Sequence, residues 1–127
     1  MFRRLLVIPL LLSAAGCGGA ESTPKLVKHL GDPDSAVRLN AVKVLGRRNT
    51  DAATVVPALV DRLQHDNDLY VRRESANALG GFGSSARPAW TVLADAARKD
   101  REPRVRKVAT AALKKIDADA ATRVGFR

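Results

Sequence analysis

The chain has 127 residues and carries 22 Lys+Arg against 13 Asp+Glu, a formal net charge of +9. That length provides one small domain, and Cys17 as the single cysteine excludes an intramolecular disulfide. The positive charge is uneven: residues 17–97 hold ten basic and nine acidic side chains, whereas residues 98–127 hold ten basic and only four acidic.

Residues 1–16 read as a targeting segment. Arg3 and Arg4 form a positive start, and Leu5 to Leu12 is an apolar run of eight residues. A spanning helix needs roughly 20 such residues. Ser13-Ala14-Ala15-Gly16 then leads into Cys17. The stretch resembles a bacterial lipoprotein signal, whose lipobox ends in a small residue followed by cysteine; Ala14 stands where Leu is usual. This resemblance covers residues 1–17. It implies cleavage between Gly16 and Cys17 and a diacylglyceryl thioether on Cys17. Each buried methylene contributes about 0.8 kcal/mol, so two or three acyl chains anchor a protein stably. Gly18 after the cysteine resembles lipoproteins sorted to the outer membrane of Gram-negative bacteria. The expectation is a lipid-anchored protein of a bacterial envelope, facing the periplasm, on the outer rather than the inner membrane. Residues 17–23 would be the lipidated cysteine and a polar tether, and the mature chain would keep a net charge of +7 once Arg3 and Arg4 are removed.

Beyond residue 24 the chain repeats itself. Val37-Arg38, Val71-Arg72 and Val105-Arg106 are 34 residues apart, as are Asp32, Asp66 and Asp100, and Leu45, Leu79 and Leu113. A fixed period of this length marks stacked repeats, each too small to bury its own apolar face. In the first unit, Leu26, Val27 and Leu30 predict a short helix, one residue out of register with the later copies. The acidic turn Gly31-Asp32-Pro33-Asp34 follows, with Asp34 placed to N-cap the next helix. Val37, Ala41, Val44 and Leu45 then form one helical stripe, and Gly46 suits a C-cap. The second unit repeats the pattern with Val55, Val56, Leu59, Val60 and Leu63, the turn Asp66-Asn67-Asp68, and the stripe Val71, Ser75, Ala78, Leu79 before Gly80. The third has Trp90, Leu93, Ala94 and Ala97, the turn Asp100-Arg101-Glu102-Pro103, and Val105, Ala109, Ala112, Leu113. Pro103 suits the first helical position and Glu102 is a poorer cap. Lys114 stands where the other units have glycine, so this helix should run on to Ile116.

These elements predict an all-α fold: a short α-solenoid of three antiparallel helix pairs, about six helices in all. The units span 24–50, 51–84 and 85–116. Residues 117–127 form a tail that either caps the third unit or leaves its end open to a partner.

The repeated string, Asp32-x-Asp34-x-x-Val37-Arg38-x-x-Ala41-x-x-x-Leu45-Gly46 and its two copies, resembles the HEAT repeat family, in particular the short type found in phycocyanobilin lyases. The resemblance covers roughly residues 24–116. It implies protein–protein contact more than catalysis. It also implies that Arg38, Arg72 and Arg106 pair with the turn aspartates Asp32, Asp66 and Asp100, within or between neighbouring repeats, as structural residues.

Among the residues with chemistry to offer, His29 and His65 are the only histidines, too few to hold a metal, and no nucleophile–base pair is available. The expectation is a protein that is not an enzyme, with no catalytic residue, metal or cofactor. Trp90 aligns with Val56 and should face the core; Tyr70 should be half exposed in its turn. The basic cluster is the sharper feature. On a helical wheel Val105, Val108, Ala109, Ala112, Leu113 and Ile116 share one arc, and Arg104, Lys107, Lys114 and Lys115 lie opposite, just after Arg98, Lys99 and Arg101. Arg98, Arg101, Arg104, Lys107, Lys114 and Lys115 are therefore candidate contacts for an anionic partner: an acidic protein, lipid headgroups or a polyanion. The leading functional expectation is a non-catalytic, lipid-anchored interaction module with an unidentified protein partner. The alternatives are a nucleic-acid-binding HEAT-like protein, which export disfavours, and an accessory subunit resembling bilin lyases, which no catalytic constellation supports.

Overall fold

The computed structural model describes residues 20–127. The targeting segment, the Gly16–Cys17 junction and the acyl-acceptor role expected of Cys17 lie outside the described residues.

Seven α-helices and one 3-10 helix make up the described residues, with no strand among them. They are α1 (Thr23–His29), α2 (Ser35–Arg48), α3 (Ala52–His65), α4 (Leu69–Gly81), the 3-10 helix Gly83–Ala89, α5 (Trp90–Lys99), α6 (Pro103–Ile116) and α7 (Ala118–Arg123). Helices α1 to α6 are joined in pairs by the acidic turns, as the period predicts. The caps follow from turn chemistry. Asp34 accepts from the Ala36 N–H at 2.8 Å, and Asp68 accepts from the Tyr70 and Val71 N–H groups at 2.8 and 3.1 Å. Glu102 makes no such bond, and Pro103, which has no N–H to satisfy, opens α6 instead. Helix α1 starts at Thr23, the last residue of the stretch read as tether, and the Thr23 hydroxyl donates to Asp51 at 2.9 Å.

Each of α1 to α6 contributes at least one fully buried leucine: Leu26, Leu45, Leu59 together with Leu63, Leu79, Leu93 and Leu113, none more than 2% exposed. Burying one such side chain contributes about 1.5–3 kcal/mol. These leucines belong to one continuous core cluster, together with Val71, Val105, Ala76 and Ala109. The predicted stripe fits the second and third units better than the first. Val37 and Val44 are only half-buried, because α2 lies at the end of the stack, while Val42, outside the predicted stripe, is fully buried.

Two glycines differ from expectation. Gly46 and Gly80 do not end their helices; α2 runs on to Arg48 and α4 to Gly81. Asn49, at φ 48°, closes α2 in the left-handed conformation that asparagine tolerates. The glycines serve interhelical contact instead. A Cβ on Gly46 would lie 2.8 Å from the Ala78 Cβ, and one on Gly80 would lie 2.9 Å from the Ala112 Cα. Only hydrogen fits there, so α4 packs directly against both α2 and α6.

The third unit and the tail also depart from the simple pattern. Gly83, at φ +56°, breaks the chain away from α4, and Pro88 has no N–H to donate to an α-helical bond; residues 83–89 form a 3-10 helix, and α5 begins only at Trp90. Trp90 is half-buried against the core rather than inside it. The tail folds back. Asp117 caps α7 by accepting from the Ala120 N–H at 2.9 Å, Ala121 and Phe126 are buried, and α7 packs on α6.

Candidate interaction surface

The acidic turns build a ladder that fixes how one repeat sits on the next. The Oδ1 atoms of Asp32, Asp66 and Asp100 each accept the N–H two residues on, at 2.8, 3.0 and 2.9 Å. That bond locks every turn in one shape. Arg38 then sends Nη1 back to the Asp32 carbonyl at 2.7 Å. Its Nε and Nη2 reach the Asp66 carboxylate of the next repeat at 2.8 and 2.9 Å. Arg72 repeats this with the Asp66 carbonyl at 3.0 Å and the Asp100 carboxylate at 3.0 and 3.2 Å. The paired arginines and aspartates therefore join the same turn by its carbonyl and neighbouring repeats by a bidentate ion pair. Asp66 is 5% exposed and Arg38 8%. Burial by itself would raise the Asp66 carboxyl, but hydrogen bonds from Arg38 and the Asp68 N–H, with the charges of Arg38 and Arg62, outweigh it and hold it below the usual carboxylate range. The Arg38 guanidinium is correspondingly raised, first by its hydrogen bond to Asp66. In its first two rungs this ladder is architecture, with the side chains of Arg38, Asp66, Arg72 and Asp100 spent on one another and on the turns.

The candidate partner contacts divide into two groups. Arg98 lies over the Phe126 ring, 4.7 Å from its centroid, and donates to the Val124 carbonyl at 3.3 Å; it holds the tail down. Arg101 donates to the Asn67 carbonyl at 3.1 Å and lines a polar groove of about 460 Å3 between two turns, with Gln64, His65 and Lys99. Arg104, Lys107, Lys114 and Lys115 stay together, exposed on the solvent side of α6.

That side of α6 is continuous with α4 and α2. Lys115 lines a groove of about 450 Å3 with Lys43, Gly46 and Arg47 of α2 and Glu74, Asn77 and Gly81 of α4. Helices α2, α4 and α6 together contain one acidic residue, Glu74, and the Asn77 amide donates to it at 3.1 Å. Lys43, Arg47, Arg73, Arg104, Lys107, Lys114 and Lys115 form no ion pair among the described residues; Arg73 lies over the half-exposed Tyr70 ring at 5.4 Å. Elsewhere several cations are matched: Lys25 with Glu21 at 3.0 Å, Arg87 with Asp117 at 3.5 Å, Lys99 with Asp95 at 3.6 Å, and Arg62 with Asp61. What sets the face apart is that its cations share three helices with a single carboxylate. Lys43, Arg47 and Arg73 were not among the sequence candidates. The signal lay in the period, because Arg47 and Lys115 occupy equivalent positions two repeats apart, and Arg73 and Lys107 one repeat apart.

No three His, Cys, Asp or Glu side chains converge among the described residues in a way that could hold a metal ion. His29 lies 3.7 Å from Glu21 and His65 lies 3.0 Å from Asp61, each at the surface.

Comparison with known proteins gives one finding. The family model for HEAT repeats matches residues 11–121, beginning inside the apolar run and ending within α7, beyond both limits of the resemblance read from the repeats. No curated protein matches the chain. A match over most of the chain, on three stacked helix pairs tied by an arginine–aspartate ladder, makes this chain a member of the HEAT repeat family.

Proposed function

We propose that this chain is a non-catalytic interaction module, anchored to a membrane of a bacterial envelope by acyl chains on Cys17, that holds an acidic protein segment against the face formed by α2, α4 and α6. HEAT repeats serve in general as protein-interaction and scaffold modules and are typically non-catalytic. The observation that carries the finer reading is the unbalanced charge of that face: seven cations across three helices, one carboxylate, and no ion pair among the described residues. Held side by side, unpaired cations raise the local positive potential and favour an anionic partner. The face offers a single aromatic ring, Tyr70, and so no row of rings on which nucleic-acid bases could stack. Anchoring rests on Arg3, Arg4, the apolar run and the position of Cys17. No helix among the described residues is long and apolar enough to cross a membrane.

Both halves of the proposal are testable. A glutamate-rich peptide titrated into the purified protein should bind, and binding should weaken steeply as salt rises to about 0.5 M. The Lys107→Glu, Lys114→Glu, Lys115→Glu triple variant should abolish it. Equal binding by wild type and the triple variant, or competition by duplex DNA alone, would overturn the choice of surface or of partner. In cells, Cys17→Ser should leave the protein uncleaved or release it from the membrane fraction. Unchanged membrane partitioning with normal cleavage would refute the anchor.

A further inference from the structure

The ladder repeats three times, and its third rung is half filled. In every repeat the arginine is aimed by the same bond: Nη1 donates to the carbonyl of its own turn aspartate, at 2.7 Å for Arg38, 3.0 Å for Arg72 and 2.6 Å for Arg106. In the first two repeats the remaining edge of the guanidinium, Nε with Nη2, grips the carboxylate of the following turn. Arg106 uses that edge for no acceptor among the described residues. The tail supplies none: Asp117 is committed to the Ala120 N–H and to Arg87. Arg38 and Arg72 are buried, whereas Arg106 is half-exposed.

From this we infer that Arg106 is a binding site for a carboxylate carried on an acidic turn of a partner protein. The molecule itself contains two filled copies of the site, and they state what it takes. The ligand is one aspartate side chain whose two oxygens lie in the guanidinium plane, on a turn of the Asp-x-Asp kind, where one oxygen also accepts the N–H two residues on. A guanidinium edge matches a carboxylate in this bidentate way and an ammonium does not. The Asp100 carbonyl has already fixed the direction of the fork, so little side-chain freedom is lost when the ligand arrives. The site differs from the basic face of the proposed function in its chemistry rather than by distance: Arg106 lies about 200° around the helix axis from Arg104, but about 100° from Lys107 and about 80° from Lys114. Arg106→Lys keeps the charge such a face supplies and removes the fork, and so tells the two sites apart.

The probe is a synthetic peptide with the sequence of residues 62–72, the turn that Arg38 grips within this chain. It is titrated into the purified full protein while the Nε–H resonance of Arg106 is followed by NMR. The expected result is a saturable shift of that resonance, lost with the peptide in which Asp66 is replaced by Asn. Arg106→Lys keeps the charge and removes the fork, and it should weaken peptide binding by about tenfold or more. Arg104→Lys should bind the peptide as wild type does. Circular dichroism should show Arg106→Lys folded, since the side chain makes a single hydrogen bond in the structure. The inference is overturned if Arg106 does not shift, if the Asn peptide binds equally well, if Lys serves as well as Arg, or if acetate at the same concentration gives the same response, which would make the site a receptor for free carboxylates rather than for a turn.

Discussion

Removing the Asp66 carboxylate is the most informative perturbation of this fold. Asp66 lies inside the turn between α3 and α4 and receives Nε and Nη2 of Arg38 at 2.8 and 2.9 Å, the Asp68 N–H at 3.0 Å, and Arg62 at 3.4 Å. Its side chain is 0% exposed and that of Arg38 is 9%. Breaking a buried ion pair from one side costs about 3–5 kcal/mol, because the other charge stays buried without its partner. Here Arg38 would keep the Asp32 and Pro33 carbonyls and the Asn67 side-chain oxygen. Asp66→Ala should therefore fall at the low end, about 3 kcal/mol, and Asp66→Asn, which preserves the turn bond and one acceptor for Arg38, at about 1.5 kcal/mol. Urea denaturation at pH 7 measures both, and urea avoids the screening that a guanidinium salt would add. Acid supplies an independent check. The Asp66 carboxyl is lowered in the folded state, so its contribution is fully present above the unfolded carboxylate value of about 4. It is lost as pH falls through the folded value. The gap between wild type and Asp66→Asn should stay constant near neutral pH and close in acid. A loss below about 1 kcal/mol for Asp66→Ala, or a gap that persists unchanged in strong acid, would refute the view that this ion pair latches the first repeat to the second.

Two further outcomes follow from packing. Gly80→Ala would press a methyl group onto the α6 backbone, 2.9 Å from the Ala112 Cα. Overpacking of about 1–3 kcal/mol should exceed the gain in helix propensity of about 1 kcal/mol, whereas Gly81→Ala, with open space around it, should be neutral or stabilising; equal thermal shifts for the two would sink the close-contact account. Deleting residues 118–127 should lower the melting temperature, because it uncovers the surface under Ala121 and Phe126, and Phe126→Ala alone should cost about 2 kcal/mol. A truncated protein that melts at the wild-type temperature would show the tail to be dispensable.

How much of this was legible in the sequence depended on whether the signal was local. Asp34 and Asp68 declared themselves as caps because a cap is chosen by the few residues around it, and the bonds appear where expected. The buried leucines Leu45, Leu79 and Leu113 were legible because the period marks them. Gly46 and Gly80 were misread because a glycine after an apolar stripe has the same local appearance whether it ends a helix or admits a neighbouring one; only the opposing Ala78 and Ala112 decide. Helix α7 went unread within the tail, because six residues are too few for an apolar period to speak. The basic residues show the clearest limit. Arg98 and Arg101 were grouped with Lys107 by nearness in the chain, yet they serve the tail and a turn. Lys43 lies far from Lys115 in sequence and lines the same groove, because stacking, rather than chain order, makes them neighbours.

The glycine–alanine contacts have a consequence for shape. They let α2, α4 and α6 press together, while α1, α3 and α5 touch one another far less. Each helix pair is thus a wedge, thin on one side and thick on the other. Wedges laid in a row bend toward their thin edge, so close packing of α2, α4 and α6 favours curvature toward the side that carries Lys43, Arg47, Arg73 and the lysines of α6. Curvature brings charges from separate repeats toward a common centre. Each repeat then strengthens the field at one place instead of extending it along a line.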